Sequence, residues 1–175
     1  MRQPVSSGPL PSALDRAGFV AAYGHVFEHS PWIAATAWDA GLPADADTAA
    51  GLHRAMCAAL AKGTPEAKLA LIRAHPDLAG KLAQAGRLTA ESTAEQASVG
   101  LDRLTDAERA SFTELNGRYV ARFGFPFIIA VRDNTKADIL AAFQRRLANG
   151  PAEEEATALA QVERIALLRL QDMLP

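Results

Sequence analysis

The sequence has a single cysteine, Cys57, among its 175 residues. One cysteine cannot form a disulfide within the chain, and its neighbours are alanine, methionine and leucine, which is typical of a small buried side chain rather than a catalytic thiol. Basic residues are not in excess either: 18 Lys and Arg stand against 20 Asp and Glu, a formal net charge of −2. Nucleic acids and anionic membranes attract a clear excess of positive charge. We therefore expect neither of them as a partner.

Long apolar runs are also missing. No stretch approaches the roughly 20 apolar residues of a membrane-spanning helix, and residues 1–9 lack the apolar core of a signal peptide. Residues 173–175 do not form a peroxisomal tripeptide. These features predict a cytoplasmic protein that does not enter a membrane.

What the sequence does contain is a series of helical patterns. Residues 1–11 include three prolines, a glycine and two serines, and they predict a flexible N-terminal arm. From residue 12 to residue 175, apolar residues recur at three- and four-residue spacing between short joints rich in glycine and proline. Strand alternation is absent. One helix is predicted to begin at the capping box Thr105-Asp106-Ala107-Glu108 and to end at Gly124. The pattern predicts one all-α domain of about eight helices over residues 12–175.

Residues 125–131 interrupt this helical pattern. They are apolar and partly β-branched, they follow Gly124, and Pro126 opposes continuation of a helix. They therefore predict a short extended buried segment. The backbone amides and carbonyls of such a segment need partners. The two alternatives are the neighbouring helices and a planar, amide-rich ligand.

His75 lies at a break between two helical patterns. Because it precedes Pro76, it is disfavoured in the helical region, so the helix arriving through Ala74 should end here. Asp77 can cap a following short helix, predicted to run from Leu78 to Gly86. A histidine at such a joint is aimed by the backbone, although a lone His-Pro is also an ordinary turn.

Ser92, Glu95 and Gln96 are spaced at i, i+3 and i+4. Within a helix they would share one face and present a hydroxyl, a carboxylate and a carboxamide in the same direction. The alternative is a capping box, since Ser-x-x-Glu also satisfies backbone donors where a helix begins. A capping box would leave Gln96 unexplained.

His25, Glu28 and His29 match the letters H-x-x-E-H of a zinc-binding motif. The motif requires the helix predicted from Asp15 to continue through His29, so that both histidines lie on one face. The alternative is a polar helix end just before Ser30 and Pro31.

Arg169 lies within the apolar stretch 165–170, which predicts burial of its aliphatic stem. A buried guanidinium needs an anion or a carbonyl as partner. A structural ion pair with a helix acid is the ordinary explanation.

Taken together, these stretches resemble the 2-oxo-4-hydroxy-4-carboxy-5-ureidoimidazoline (OHCU) decarboxylases, a family of the ureide branch of urate degradation. The stretches that carry the resemblance occur in the family's order and spacing within residues 15–174. They are residues 27–32, 74–79, 92–96 with 100–101, 115–116 with Tyr119, 123–127 and 169–170.

The resemblance implies an all-α enzyme, often a homodimer, that uses no cofactor and no metal and converts the small molecule OHCU into (S)-allantoin and CO2. It also implies that His75 is the catalytic acid or base and that Glu95 is its partner. The substrate-binding residues that it implies are Pro76, Ser92, Thr93, Ala94, Glu95, Gln96, the backbone of Phe127, Ile128, Ile129, Ala130 and Val131, and Arg169. A metal-free family speaks against the zinc interpretation of residues 25–29.

Overall fold

The computed structural model describes residues 8–80, 83 and 85–175. Within them the chain forms eight α-helices and no strand, which confirms the all-α prediction. The helices are α1 (Arg16–Tyr23), α2 (Trp32–Asp39), α3 (Ala49–Ala61), α4 (Pro65–Arg73), α5 (Ala90–Ser98), α6 (Asp106–Phe123), α7 (Lys136–Leu147) and α8 (Pro151–Met173). Two short 3-10 helices, η1 (Pro11–Ala13) and η2 (Val131–Asp133), complete the described elements.

The chain divides into two compact units. The first comprises the chain up to Ala74 together with Glu163–Pro175, and the second comprises His75–Val162. Helices α1 to α4 belong to the first unit and α5 to α7 to the second, while the residues of α8 are divided between them. The boundaries of a single domain over residues 12–175 stay a prediction.

In the first unit, α2 packs against both α1 and α3. The core residues at these contacts have essentially no solvent exposure; they include Phe19, Tyr23, Ile33, Leu52 and Met56. Of the predicted arm, residues 1–7 lie outside the described residues. Gly8 donates its backbone N–H to the Met173 carbonyl at 3.2 Å, and the Tyr23 hydroxyl donates to the Pro9 carbonyl.

Helix α1 is shorter than its apolar pattern predicts. It ends at Tyr23, and residues 24–29 form turns, so the prediction of a helix through His29 is wrong. Val26 and Phe27 are adjacent, and each is only 1% exposed. A turn lets both side chains enter the core, and the Val26 carbonyl accepts a hydrogen bond from Arg169 instead of from a helical amide.

The second unit is built around the aromatic residues of α6 and α7, which pack against each other. Helix α6 begins at the predicted capping box, in which Thr105 and Glu108 satisfy each other's backbone amides. It ends at Gly124, whose φ of 76° is the left-handed conformation that favours glycine. Both predicted helix limits are confirmed.

The extended segment predicted over residues 125–131 is confirmed as far as residue 130. Residues 125–130 have no helical assignment, and Val131 begins η2. All but Pro126 are buried, and the Phe127 ring stacks on that of Phe143 at 3.7 Å between centroids. The segment therefore runs through the core of the second unit.

Of the helix predicted between Leu78 and Gly86, residues 81, 82 and 84 lie outside the described residues, and residues 78–80 are not helical. None of the helices in the described parts of the chain is both long and apolar enough to span a membrane.

Cys57 is half-buried, and its surroundings agree with a structural thiol. Burial raises the pKa of the Cys57 thiol to about 12, so the thiol stays protonated at neutral pH. His53 has no notable neighbour in the sequence, which predicts a surface residue, but the structure shows it half-buried. Its Nε2 lies 2.8 Å from the Glu163 carbonyl oxygen and 3.3 Å from Cys57 Sγ.

Two glycines near the same helix should respond oppositely to alanine. Gly124→Ala forces a Cβ into a left-handed conformation and should lower the free energy of unfolding by about 1 kcal/mol. Gly117 lies in the interior of α6, with open space where a Cβ would stand, so Gly117→Ala should raise it by about 0.5–1 kcal/mol. Urea denaturation measures both. Changes of the same sign would contradict this account of α6.

Candidate active site

His75 lies immediately after a helix end, as predicted. Helix α4 begins with Thr64 as its N-cap and Pro65 in its first turn, and its last residue is Arg73. His75 is 8% exposed, so its imidazole is held within the protein rather than extended into solvent. Residues 75–80, called the His75 loop below, continue the chain without helical structure.

Two carboxamide side chains hold the backbone of the His75 loop. The Ala79 amide donates to Gln96 Oε1 at 2.9 Å, and Gln96 Nε2 lies 3.4 Å from the Asp77 carbonyl oxygen. Asn116 Nδ2 donates to the Leu78 carbonyl at 2.9 Å. The backbone is therefore fixed at three successive residues. These hydrogen bonds offset the energy that a φ of 50° costs Ala79, which is not a glycine.

Helix α5 carries the predicted polar face. Its N-cap is Thr89, whose Oγ1 accepts the Ser92 amide at 3.2 Å, so a capping box formed by Ser92 and Glu95 is ruled out. Ser92, Glu95 and Gln96 lie inside the helix and share one side of it. Ser92 and Gln96 are buried and Glu95 is half-buried, so this side faces the protein.

Thr93 and Ala94 differ from these neighbours in being exposed. The Thr93 hydroxyl donates to the Thr89 carbonyl at 2.8 Å. Thr93 and Gln96 border an open cavity of about 470 Å³, which Leu101, Asp102 and Arg109 also line. Neither His75 nor Glu95 lines this cavity, so it does not by itself locate the predicted catalytic pair.

The extended segment reaches the same region of the second unit, because η2, which begins at Val131, packs against α5. Side chains satisfy part of its backbone. Arg146 Nη1 donates to the Ile128 carbonyl at 2.6 Å, and the Ala130 amide donates to Gln161 Oε1 at 2.9 Å. The second unit thus brings together the His75 loop, the polar face of α5 and the end of the extended segment.

Arg169 belongs to the first unit, where it is 5% exposed. Its Nη1 donates to Glu28 Oε2 at 2.9 Å and lies 3.3 Å from the Val26 carbonyl oxygen. The expected ion pair is therefore present, but its acid comes from a turn rather than from a helix. Since residues 24–29 are not helical, His25 and His29 do not share the helical face that the zinc motif requires.

Sequence reasoning missed the roles of Glu28 and Asn116. Both residues lie in stretches that carry the family resemblance, but their partners are 141 and 38 residues away, at Arg169 and Leu78. No local spacing rule predicts contacts of that kind. Their membership in the matched stretches was the available signal.

Asp77 is a third residue whose role sequence reasoning missed, since the sequence predicts it only as a helix cap. Its Oδ1 is buried and has no hydrogen-bond partner among the described residues. Burial raises the pKa of the Asp77 carboxyl, because desolvation penalises the charged form. The His75 loop therefore contains a carboxyl group that holds its proton more tightly than an exposed aspartate does.

The chain is similar to known decarboxylases over most of its length. The family model described as OHCU decarboxylase matches residues 12–171. An OHCU decarboxylase of Haloferax volcanii is 41% identical over 159 residues, which cover 91% of this chain and 90% of the relative. An OHCU decarboxylase of Bos taurus is 40% identical over 168 residues, which cover 93% of this chain and 94% of the relative.

Solved structures give the same picture of the fold. An (S)-allantoin synthase is 36% identical with a TM-score of 0.72; the match covers 93% of this chain and 52% of that chain, so this chain spans about half of it. An OHCU decarboxylase solved in the presence of (S)-allantoin is 23% identical with a TM-score of 0.58, over 79% of this chain and 87% of that one. The second match supports the fold alone.

The raised pKa of Asp77 predicts a pH-dependent stability difference. A folded-state pKa above the unfolded value of about 3.9 means that the folded protein binds this proton more tightly. Wild-type stability from this group therefore falls as pH rises through the folded-state pKa. Asp77→Asn should accordingly gain stability relative to wild type between acidic and neutral pH, as measured by urea denaturation at several pH values.

Asp138 provides the control of opposite sign. Hydrogen bonds from Thr135 hold the pKa of the Asp138 carboxyl below its usual range, so its contribution is lost as pH falls. Asp138→Asn should therefore lose stability relative to wild type as pH rises. A constant offset between Asp77→Asn and wild type at every pH would contradict the assignment.

The Glu28–Arg169 pair predicts a large cost for removing one charge. The two side chains are 2% and 5% exposed, and a buried guanidinium deprived of its carboxylate is strongly destabilising. Glu28→Gln should lower the free energy of unfolding by roughly 3–5 kcal/mol. The exposed pair of Arg16 and Asp39 is the matched control, and Asp39→Asn should cost far less. Equal losses would show that burial does not decide the effect.

Proposed function

Because the chain belongs to the OHCU decarboxylase family, we propose that it is a carboxy-lyase that removes CO2 from OHCU and releases (S)-allantoin in urate degradation. The observation that carries the proposal is the match of the family model to residues 12–171. Relatives at about 40% identity bear the name of this decarboxylase, and a similar structure bears the name (S)-allantoin synthase.

The substrate supplies the electron sink for its own decarboxylation. In OHCU the carbon that bears the carboxylate also bears a hydroxyl and adjoins a C=N bond. When the bond to CO2 breaks, its electron pair moves towards that imine, whose nitrogen takes up a proton. The hydroxyl then loses its proton while the neighbouring ring carbon gains one, which forms the carbonyl and the stereocentre of allantoin. The protein has to orient the carboxylate, transfer protons and select the face of the last protonation.

His75 is our candidate for proton transfer, with Glu95 as its partner. An imidazole can both donate and accept protons near neutral pH. The support for His75 is its buried position at the start of a loop whose backbone Gln96 and Asn116 hold in place. Glu95 is supported by its position beside Gln96 on α5. A carboxylate there can orient the imidazole or bind the substrate hydroxyl.

Substrate binding is assigned to the polar face of α5 and to the extended segment. Ser92 and Gln96 are buried on that face, and η2 packs against the same helix. The carboxamide of Gln96 already bonds the His75 loop, so its main contribution is to position that loop. Pro76, Thr93, Ala94 and Arg169 complete the proposed set, which rests on the family resemblance. A guanidinium suits a carboxylate or carbonyl of the substrate.

The resemblance also supports a homodimer, and we keep a cytoplasmic location as part of the proposal. Size-exclusion chromatography with light scattering tests the first, and fractionation of cells that express the full chain tests the second. A monomer at micromolar concentration would remove the homodimer from the proposal and leave the reaction unaffected.

His75→Gln and Glu95→Gln should abolish most of the activity and preserve the fold. General acid–base groups contribute roughly 100-fold to 10,000-fold to a rate, so kcat should fall by about that range in His75→Gln. The measurement is circular dichroism at allantoin wavelengths on freshly generated OHCU, which follows the formation of the (S) enantiomer directly. Far-ultraviolet circular dichroism checks the helical content of each variant.

His25→Gln is the matched control, because His25 is exposed and has no role in the proposed chemistry. It should retain the wild-type rate. A His75→Gln protein that forms (S)-allantoin at the wild-type rate would remove His75 from the mechanism. A folded wild-type protein that does not accelerate CO2 loss from OHCU would overturn the proposed function itself.

A further inference from the structure

Ile129 lies in the extended segment, and its backbone N–H and C=O have no hydrogen-bond partner among the described residues. It is 8% exposed. Buried backbone groups are nearly always paired, so an open donor and acceptor on one residue are unusual. In extended backbone, the N–H and C=O of a residue point to the same side of the chain. Ile129 thus presents one donor and one acceptor side by side.

The peptide group before Ile129 is fixed by Arg146. The Ile128 carbonyl and the Ile129 N–H are opposite ends of one planar trans peptide. Arg146 Nη1 donates to that carbonyl at 2.6 Å, and the guanidinium carbon lies 4.3 Å from the centre of the Phe127 ring. Because the carbonyl is held on Arg146, the Ile129 N–H is aimed in the opposite direction.

The peptide group after Ile129 is fixed in the same way by Gln161. The Ala130 N–H donates to Gln161 Oε1 at 2.9 Å, and the other end of that peptide is the Ile129 carbonyl. Both open groups of Ile129 are therefore oriented by side chains that bind the far ends of their peptide planes. Neither side chain forms a hydrogen bond with the Ile129 N–H or C=O itself.

Arg146 is itself held in position by buried partners. Its Nε donates to Glu154 Oε1 at 2.5 Å, and the same carboxylate accepts from the Tyr119 hydroxyl at 2.5 Å and from Asn149 Nδ2 at 3.0 Å. The side chains of Arg146 and Glu154 are 9% and 0% exposed. Arg146 is thus bonded to a carboxylate that two further side chains hold in place, so it loses little further freedom when a ligand binds and the peptide that it binds is preorganised.

We infer that Arg146 and Gln161 are positioning residues that set the Ile129 N–H and C=O to bind the ureido group of the substrate. A ureido group offers an N–H and a C=O side by side, which matches a parallel acceptor and donor on extended backbone. The inference rests on the proposed function and adds two side chains that do not touch the substrate. Glu154 acts one step further back, through Arg146.

The test compares three variants of the full chain with wild type. Arg146→Lys keeps the charge but loses the planar fork that bonds Glu154 and Ile128 together. Gln161→Met has similar volume but no acceptor for the Ala130 amide. Arg145→Lys, an exposed neighbour on α7, is the matched control. Initial rates over a range of OHCU concentrations separate KM from kcat, and thermal unfolding is recorded for each variant.

Arg146→Lys and Gln161→Met should each raise KM by roughly fivefold to tenfold, the worth of about one hydrogen bond. The kcat value should change by less than about threefold, because the ureido contact is made equally in the ground state and the transition state. Arg145→Lys should match wild type. Gln161→Met removes a single hydrogen bond and should fold, so its KM tests the inference even if Arg146→Lys does not fold.

If Arg146 and Gln161 had only a structural role, the variants would lose thermal stability while KM, measured on the folded protein, would stay within twofold of wild type. That result in Gln161→Met, or in a folded Arg146→Lys, would overturn the inference and leave the reaction intact. A wild-type protein without activity on OHCU would overturn the proposed function, and the inference with it. The two failures are distinguished by the wild-type rate alone.

Discussion

The backbone amides and carbonyls of the non-helical segments need hydrogen-bond partners. In a β protein a neighbouring strand would supply them, but this chain has no strand among its described residues. In the second unit, side chains on the helices meet this need. Gln96 and Asn116 hold the His75 loop, and Arg146 and Gln161 hold the extended segment. Each irregular segment is therefore as fixed as the helices that bind it. A site built from such segments has its geometry set by side-chain chemistry at four positions.

Two buried ion pairs serve this purpose in a similar way. Arg146 binds Glu154 and the Ile128 carbonyl in the second unit, and Arg169 binds Glu28 and the Val26 carbonyl in the first. Removing two charges from water costs about as much as their attraction returns, so stability alone is a weak reason to keep such pairs. An arginine that bonds a carboxylate and a main-chain carbonyl together fixes a turn or a strand-like peptide, which an apolar side chain cannot do.

The sequence predicts well those features that depend on neighbouring residues. The capping box at Thr105, the glycine stop at Gly124, the helix end before His75 and the buried segment after Pro126 all follow from local rules, and all are present. Local rules fail where distant contacts decide. Apolar spacing predicts a helix through His29, but the burial of both Val26 and Phe27 and the bond from Arg169 favour turns. The choice between a cap and a polar face at Ser92 depends on Thr89, which caps the helix first.

The orientation of the Ile129 peptide groups depends on partners 18 and 31 residues apart in sequence, Ile128 with Arg146 and Ala130 with Gln161, so no motif reveals it. It has a consequence for selectivity. When a ligand pairs with a rigid donor and acceptor, the net gain in binding free energy is small, because the new hydrogen bonds replace hydrogen bonds to water. When a ligand leaves these groups buried and unpaired, binding is weakened by the full cost of their desolvation. A site of this kind rejects analogues that lack the ureido N–H or C=O more strongly than an apolar pocket rejects a change of size. Fixing the ureido end also restricts how the ring can turn, and it is the face of the ring that decides which enantiomer the last proton creates.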